Sequence, residues 1–521
     1  MFRYFKHKKF YIFLLLALLS FCVNFYVASN GVYPVDTFIH YDNGFRILLG
    51  DNPVKDYWIV HGFIIDYIQA LFFLVFGNNW YSYLIHSSLF NVILTIFTFQ
   101  IFKILKIDLN VAFLLSISFA FLAYPVSGTP FLDLHSSFLS LIGIYFAIIG
   151  IIKERNYYWF WTSILFCLAF FSKQVPAAYT IIGITFIASY LSLNKNKMKI
   201  FIYYSAGAIL FLMMLLIFLI TKQIPVNDFI LQTFMFPQSI GSERYSSYNL
   251  NVKNIFLDYK FIHLVFIIIV ITNIILKLNL KDYFKTSYFK IFLVLSVFCI
   301  TSIFHQIYTK NQIYIFFLIP ILSGFSIFYL NLLKFKYKNH IKYFLVFLCV
   351  FVTIKYNERF NIERKFHELN NTIISNSVDA SKIHKNFNGL NWISPYFENP
   401  EEEINLIKSF NALLEKDKNN KMVISQYNFF ASLLNQKIYS PSRTYDTISY
   451  PRKNTKYFKN YKSHLINIIK KNNINKIYIF EPFSKYDINE IIFNYIPRNC
   501  FQEVQNNEHL LILEILKCRE L

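Results

Sequence analysis

Five aspartates, Asp36, Asp42, Asp51, Asp56 and Asp66, crowd the stretch from Pro34 to Trp80 in a chain of 521 residues that carries only 30 acids. A carboxylate fixed beside a hydroxyl can take its proton as the oxygen attacks an electrophile. Asp36 is the first candidate for that work. It stands directly behind the first membrane-length apolar run, where Phe38, Tyr41, Phe45 and Leu48 recur at helical spacing and predict a helix over 37–49 with Asp36 at its N-cap. On local pattern alone, an ordinary capping aspartate is the simpler account. His40 falls one turn further along the same face, where it either touches a substrate or faces solvent. Asp42 and Arg46 are spaced as an i, i+4 pair.

A second group of residues suits an anionic leaving group. Lys173 sits at the end of an apolar segment on the side that is otherwise poor in cations, so its ammonium either meets a phosphate or snorkels to the interface. Lys310 is placed similarly, and Arg244 is a cation of the long 222–260 connection. Asp133 and His135 open another apolar segment, Asp133 reading as a substrate contact or as an ordinary helix-start acid. His305, Gln306 and Tyr308 close a later one. Tyr57, Trp58, Trp80, Tyr81 and Tyr83 have rings that could stack on a sugar, although an interfacial aromatic belt accounts for them better. No spacing of Cys, His or acids suggests a metal cage, and no phosphate-cradling glycine loop occurs, so neither metal nor cofactor is expected.

These residues need a membrane scaffold to position them. Hydrophobic residues make up 55% of the chain, 61 of them Phe, and charged residues only 16%. That composition, with repeated apolar runs of membrane length, identifies a polytopic α-helical membrane protein. Spans are expected at 10–29, 83–104, 111–124, 135–152, 157–171, 177–193, 200–221, 261–278, 290–308, 313–332 and 341–356, eleven in all. The net charge of +21 lies mainly in residues 1–356, in the connections between spans. It therefore reports topology under the positive-inside rule, with a cytoplasmic N-terminus, and not a nucleic-acid partner. The apolar segment 63–76 spans only about 20 Å as a helix, short of the ~30 Å hydrocarbon core. It reads as a helix lying along the membrane surface, and counting it as a span would invert the charge pattern of every later connection.

After Tyr356 the membrane-length runs end. Strands at 422–424, 476–480 and 510–515, with helices at 404–414, 429–434, 464–471 and 487–495, predict a small α/β domain over 357–521, outside the membrane. Cys500 and Cys518 bracket a strand-turn-strand pattern. A bridge there would close its ends, though two free thiols fit nearly as well.

The order of an acid after the first span, the pattern Tyr41-x-x-Gly44-x-x-x-Leu48-x-Gly50, a Pro53 turn and an apolar helix ending Phe76-Gly77 resembles the first outer loop of GT-C glycosyltransferases. That superfamily includes protein O-mannosyltransferases and the transferases that add aminoarabinose or other sugars to lipid A. Those enzymes usually follow the acid with a second one, where this chain has Thr37. The resemblance implies a GT-C-like domain over 1–356 in a bacterial inner membrane. It implies an inverting transfer of a sugar from a polyprenyl-phosphate donor to a lipid, glycan or protein acceptor on the outer face. Asp36 would then be the base, Lys173 and Lys310 the donor-phosphate contacts, and His40, Asp133, His135, His305 and Arg244 the substrate contacts. A polysaccharide polymerase or ligase is the nearest alternative. A transporter or flippase fits less well, because the spans hold almost no ionisable residues apart from His263 and His305.

Overall fold

In the computed structural model the described residues are 2–193, 198–246, 251–309, 314–363, 369, 372–445, 448–482, 487–518 and 521, with side chains described for these except 2–9, 243–246 and 279. Contacts divide the chain into two compact units, Met1–Ala28 with Ser87–Leu216 and Arg244–Phe366, and Ser29–His86 with Ile217–Glu243 and His367–Leu521. This division differs from the one expected at residue 356, because the first loop clusters with the C-terminal region. The reason lies in backbone pairing: Gly31 N donates to Asn391 O (2.9 Å), Asn391 N to Ser29 O (2.8 Å), Trp58 N to Pro441 O (2.9 Å) and Arg443 N to Trp58 O (3.0 Å).

The first unit is built from apolar helices. Among the described residues of the whole chain, ten helices are long and apolar enough to cross a membrane. The protein is a multi-pass membrane protein. The eleventh expected span is the helix Tyr157–Ser172, whose 16 residues reach only about 24 Å. It folds back on Leu132–Lys153, where Gly143 admits the Phe166 ring and Gly150 faces Trp159. Helices meeting in lipid gain little from apolar burial, so small residues and amides join them. Asn24 Nδ2 donates to Ser87 Oγ, Ser88 Oγ and Gly128 O at 3.0, 3.1 and 3.0 Å. Asn91 Nδ2 donates to Ser20 O and Ala120 O at 2.8 and 3.0 Å. Gly128, at φ +80, passes so close to Ala28 that a Cβ would lie 2.9 Å from its Cα.

In the second unit, the helices Ile39–Leu48 and Ile64–Phe76 pack through Gly44, where any Cβ would meet Gln69 Cβ at 2.9 Å and Ala70 N at 3.2 Å. The 13-residue helix Ile64–Phe76 buries Asp66, Gln69 and Phe73 and exposes Leu71, Leu74, Val75 and Phe76. A helix that hides its polar side chains and leaves its apolar ones open has lipid as the favourable solvent for that open face. The aromatic-belt reading of this region does not hold. Tyr57, Trp58, Trp80 and Tyr83 are at most 1% exposed and form the unit's interior; only Tyr81 is open.

The C-terminal residues form a four-stranded sheet in the order Lys421–Ser425, Lys476–Phe480, Leu510–Ile515, Phe501–Asn506, the first pair parallel and the others antiparallel. Pro400–Lys416 and Phe458–Lys471 are its longer helices, each starting earlier than sequence periodicity places it. Over 487–495 the expected helix is a single wide turn, Asn489–Phe493. Cys500 and Cys518 are bridged, with Cα atoms 5.3 Å apart and 18 residues of separation. Both thiols should therefore resist alkylation unless a reductant is added, and replacing the pair by Ser should cost roughly 3 kcal/mol of unfolding free energy by loop-closure entropy. Full alkylation without reductant would contradict the bridge.

Candidate active site

Pro34 sits at the first position of a one-turn helix, Pro34–Thr37, which fixes φ for helix entry without losing a needed donor. Asp36 lies inside this turn, half-buried, and is not the N-cap; the cap position is Tyr33. Thr37 Oγ1 accepts from Tyr33 N at 2.9 Å, and Tyr33 O accepts from the amides of Asp36 and Thr37. Phe38 then interrupts the helix before Ile39–Leu48 begins. Asp36 is thus held on a short, doubly tied turn.

His40 does not face solvent. It is buried with Asp66 and Arg443, its Nδ1 2.7 Å from Asp66 Oδ1. Arg443 Nη2 lies 2.7 Å from the same oxygen and 3.0 Å from His40 Nδ1, while Nη1 donates to Gly62 O at 3.0 Å. The shorter contact assigns the His40 proton to Nδ1, donating to Asp66. Burial holds His40 below the ordinary imidazole range and Arg443 pushes the same way, while Asp66 opposes both. A neutral imidazole between an ion pair results.

Arg46 pairs with Asp51 (Nε to Oδ2, 3.1 Å), not with Asp42 as its spacing suggests. Its guanidinium also lies 4.2 Å from the Tyr57 ring centre and donates to Ser440 O at 3.2 Å. Asp51 takes a second cation, Lys437, at 2.6 Å. Asp42, left against the core, is pushed up to about 6 by burial, with Arg46 pulling it the other way.

The first unit brings together Asp133, Lys173 and His305. Lys173 Nζ is 2.5 Å from Asp133 Oδ2, and His305 Nε2 is 3.6 Å from Asp133 Oδ1, with both Asp133 and His305 1% exposed. Tyr314 lies beside the same carboxylate. Lys173 joins Tyr157–Ser172 to Gln174–Ser192 in extended conformation, its carbonyl accepting from Ser136 Oγ at 2.9 Å. It is therefore a cation held in place, 16% exposed, and not a snorkelling side chain. His135 contacts the Tyr124 hydroxyl at 2.5 Å through Nδ1 and packs on Phe90. Lys310 and the side chain of Arg244 lie outside the described residues. Among the described residues, no three His, Cys, Asp or Glu side chains gather as a metal's ligand set.

Residues 60–220 match the family model described as dolichyl-phosphate-mannose-protein mannosyltransferase. Among solved structures, ArnT from Cupriavidus metallidurans bound to undecaprenyl phosphate aligns over 96% of this chain and 97% of that one, with a TM-score of 0.52 at 8% identity. The chain therefore has the fold of that ArnT structure. The archaeal oligosaccharyltransferase AglB from Archaeoglobus fulgidus, in complex with an inhibitory peptide and a dolichol-phosphate, aligns over 91% of this chain and 70% of that one at 9% identity and a TM-score of 0.41. No curated protein matches by sequence. The residue of this site that periodicity did not reveal is Arg443. Its signal was Asp66 itself, an acid on an apolar helix with no basic residue one turn away, which needs a cation from elsewhere.

Proposed function

We propose that the chain transfers a sugar from a polyprenyl-phosphate carrier to a hydroxyl of a lipid, glycan or protein on the outer face of a bacterial cell membrane, with its N-terminus in the cytoplasm. The observation that carries the reading is the Lys173–Asp133–His305 cluster: a cation fixed by a buried carboxylate at the junction of two apolar helices. Such a cation suits the phosphate of an amphiphilic donor, whose tail needs lipid and whose head group needs charge. The family match and the ArnT-like fold support the same class of chemistry at the level of fold.

In this reading the acceptor hydroxyl gives its proton to a general base as its oxygen bonds to the anomeric carbon. The bond from that carbon to the phosphate oxygen breaks, and its electron pair leaves with the carrier phosphate. Lys173 neutralises the charge that develops there, while Asp133 and His305 hold its ammonium in position. Attack from the face opposite the leaving group inverts the anomeric centre.

Replacing Lys173 by Met should lower kcat/KM for a lipid-linked donor by about 10²-fold, the scale of one lost charge-stabilising group, and Lys173→Arg should recover part of it. Because the change also strips Asp133 of its partner, Lys173→Met with Asp133→Asn serves as the folded control and should stay equally inactive. Activity within a fewfold of wild type in either variant would remove Lys173 from the donor site.

A further inference from the structure

The second unit contains a pocket of about 260 Å³ whose lining includes none of the residues assigned above to transfer. Three segments distant in sequence build it: Trp58 from the first loop, Asp228 and Gln232 from the 226–235 turns, and the outward face of the helix Phe458–Lys471. That helix turns Tyr461, Leu465, Ile468 and Ile469 into the core and gives Lys459, Asn460, His464 and Asn467 to the pocket. Gln232 fixes the floor, accepting from Ile59 N at 2.9 Å and donating to Val54 O at 3.0 Å. Val54 is held there at φ +76, a conformation a β-branched residue rarely takes. Strain of this kind persists where surrounding contacts over-determine it, and it concentrates around binding sites.

Two residues that line the pocket, Trp58 and His464, each carry a buried polar atom with no hydrogen-bond partner in the protein, Nε1 and Nε2 respectively. An unmatched buried polar atom is uncommon and asks for a polar occupant. The His464 ring bonds the Pro441 carbonyl, and burial pushes it down to about 4, so it is neutral and its Nε2 is an acceptor. Trp58 Nε1–H is a donor only. The two amides add both functions, and Asp228 and Lys459 bring one negative and one positive charge. Such a lining does not select a phosphate or a cation, for which one sign of charge would dominate, nor an apolar molecule. Paired donors and acceptors without net charge match hydroxyl groups, each of which is both. The volume is below the ~300–1,000 Å³ of sites for drug-sized ligands, which limits the occupant to about one ring.

We propose that this pocket binds one sugar residue of a glycan through its hydroxyls, as a site separate from the residues assigned to transfer. The proposal does not rest on Asp36 acting as the base. Its test is binding of methyl glycosides of glucose, galactose, mannose and N-acetylglucosamine to the full chain in nanodiscs, followed by saturation-transfer NMR and titration calorimetry. At least one glycoside should bind saturably in the millimolar range, and binding should persist in Asp36→Asn. Asn460→Leu with Asn467→Leu, both on the exposed helix face and so compatible with folding, should weaken it about tenfold. His464→Phe, which keeps the ring volume and removes Nε2, should weaken it similarly. Absence of saturable binding by all four glycosides, or binding unchanged in these variants, overturns the proposal.

Discussion

Asp36→Asn should leave a folded, membrane-inserted chain whose transfer of sugar from a lipid-linked donor falls by about 10²–10⁴-fold, the usual contribution of a general base. The substitution is close to isosteric, and the turn Pro34–Thr37 is held by the Thr37–Tyr33 tie and the Tyr33 carbonyl bonds, none of which uses the Asp36 side chain. Loss of a carboxylate from the first turn of a helix costs only a few tenths of a kcal/mol. Stability and catalysis therefore separate at this position: the melting transition should be unchanged while the rate collapses. Near-wild-type transfer by Asp36→Asn would exclude the residue as the base. A protein that no longer folds would show that Asp36 carries structure, and Asp36→Glu, which keeps a base but displaces it, would then fold no better.

The elements were readable from the sequence wherever one local rule governed them. The helix Ile64–Phe76 followed from its apolar run, and the strand pair Phe501–Asn506 and Leu510–Ile515 followed from its turn. Asp36 shows where a local rule misleads. Two signals competed, an acid before a periodic run and a proline two residues earlier, and Pro34 at the first helical position won, moving the cap back to Tyr33. Arg46 shows a second failure. Spacing offered it Asp42, but the chain reversal at Gly50, with φ +91, brings Asp51 to its Nε instead. His40 could not be read at all, since its environment depends on Arg443, whose contact with Asp66 spans 377 positions. Periodicity carries no information on such pairs; only the demand of a buried acid for a cation does.

That demand sets the second large expected effect. Arg443→Met should destabilise the second unit by about 3–5 kcal/mol, because it leaves the fully buried Asp66 carboxylate with no cation. The double variant Asp66→Asn with Arg443→Met should recover much of the loss, since two neutral groups of similar volume replace the charges. The pH dependence gives a sharper test. In the wild type, His40 is held below its ordinary 6.5 by burial and by Arg443. The unfolded chain then binds the proton more readily, so this residue makes stability fall as pH drops below 6.5. In Arg443→Met the opposing charge is gone, and Asp66 alone faces the imidazole across 2.7 Å. His40 should then take the proton to supply the missing cation, raising its folded value above the unfolded one. Its stabilisation would be fully present below the unfolded value and lost as pH rises through the folded one, so the variant should be closest to wild type near pH 5.5 and furthest from it near pH 8. Thermal unfolding of both proteins across that range measures the difference. A gap that is independent of pH would mean that His40 does not exchange charge with Arg443, and the trio would reduce to an ion pair with a histidine packed beside it.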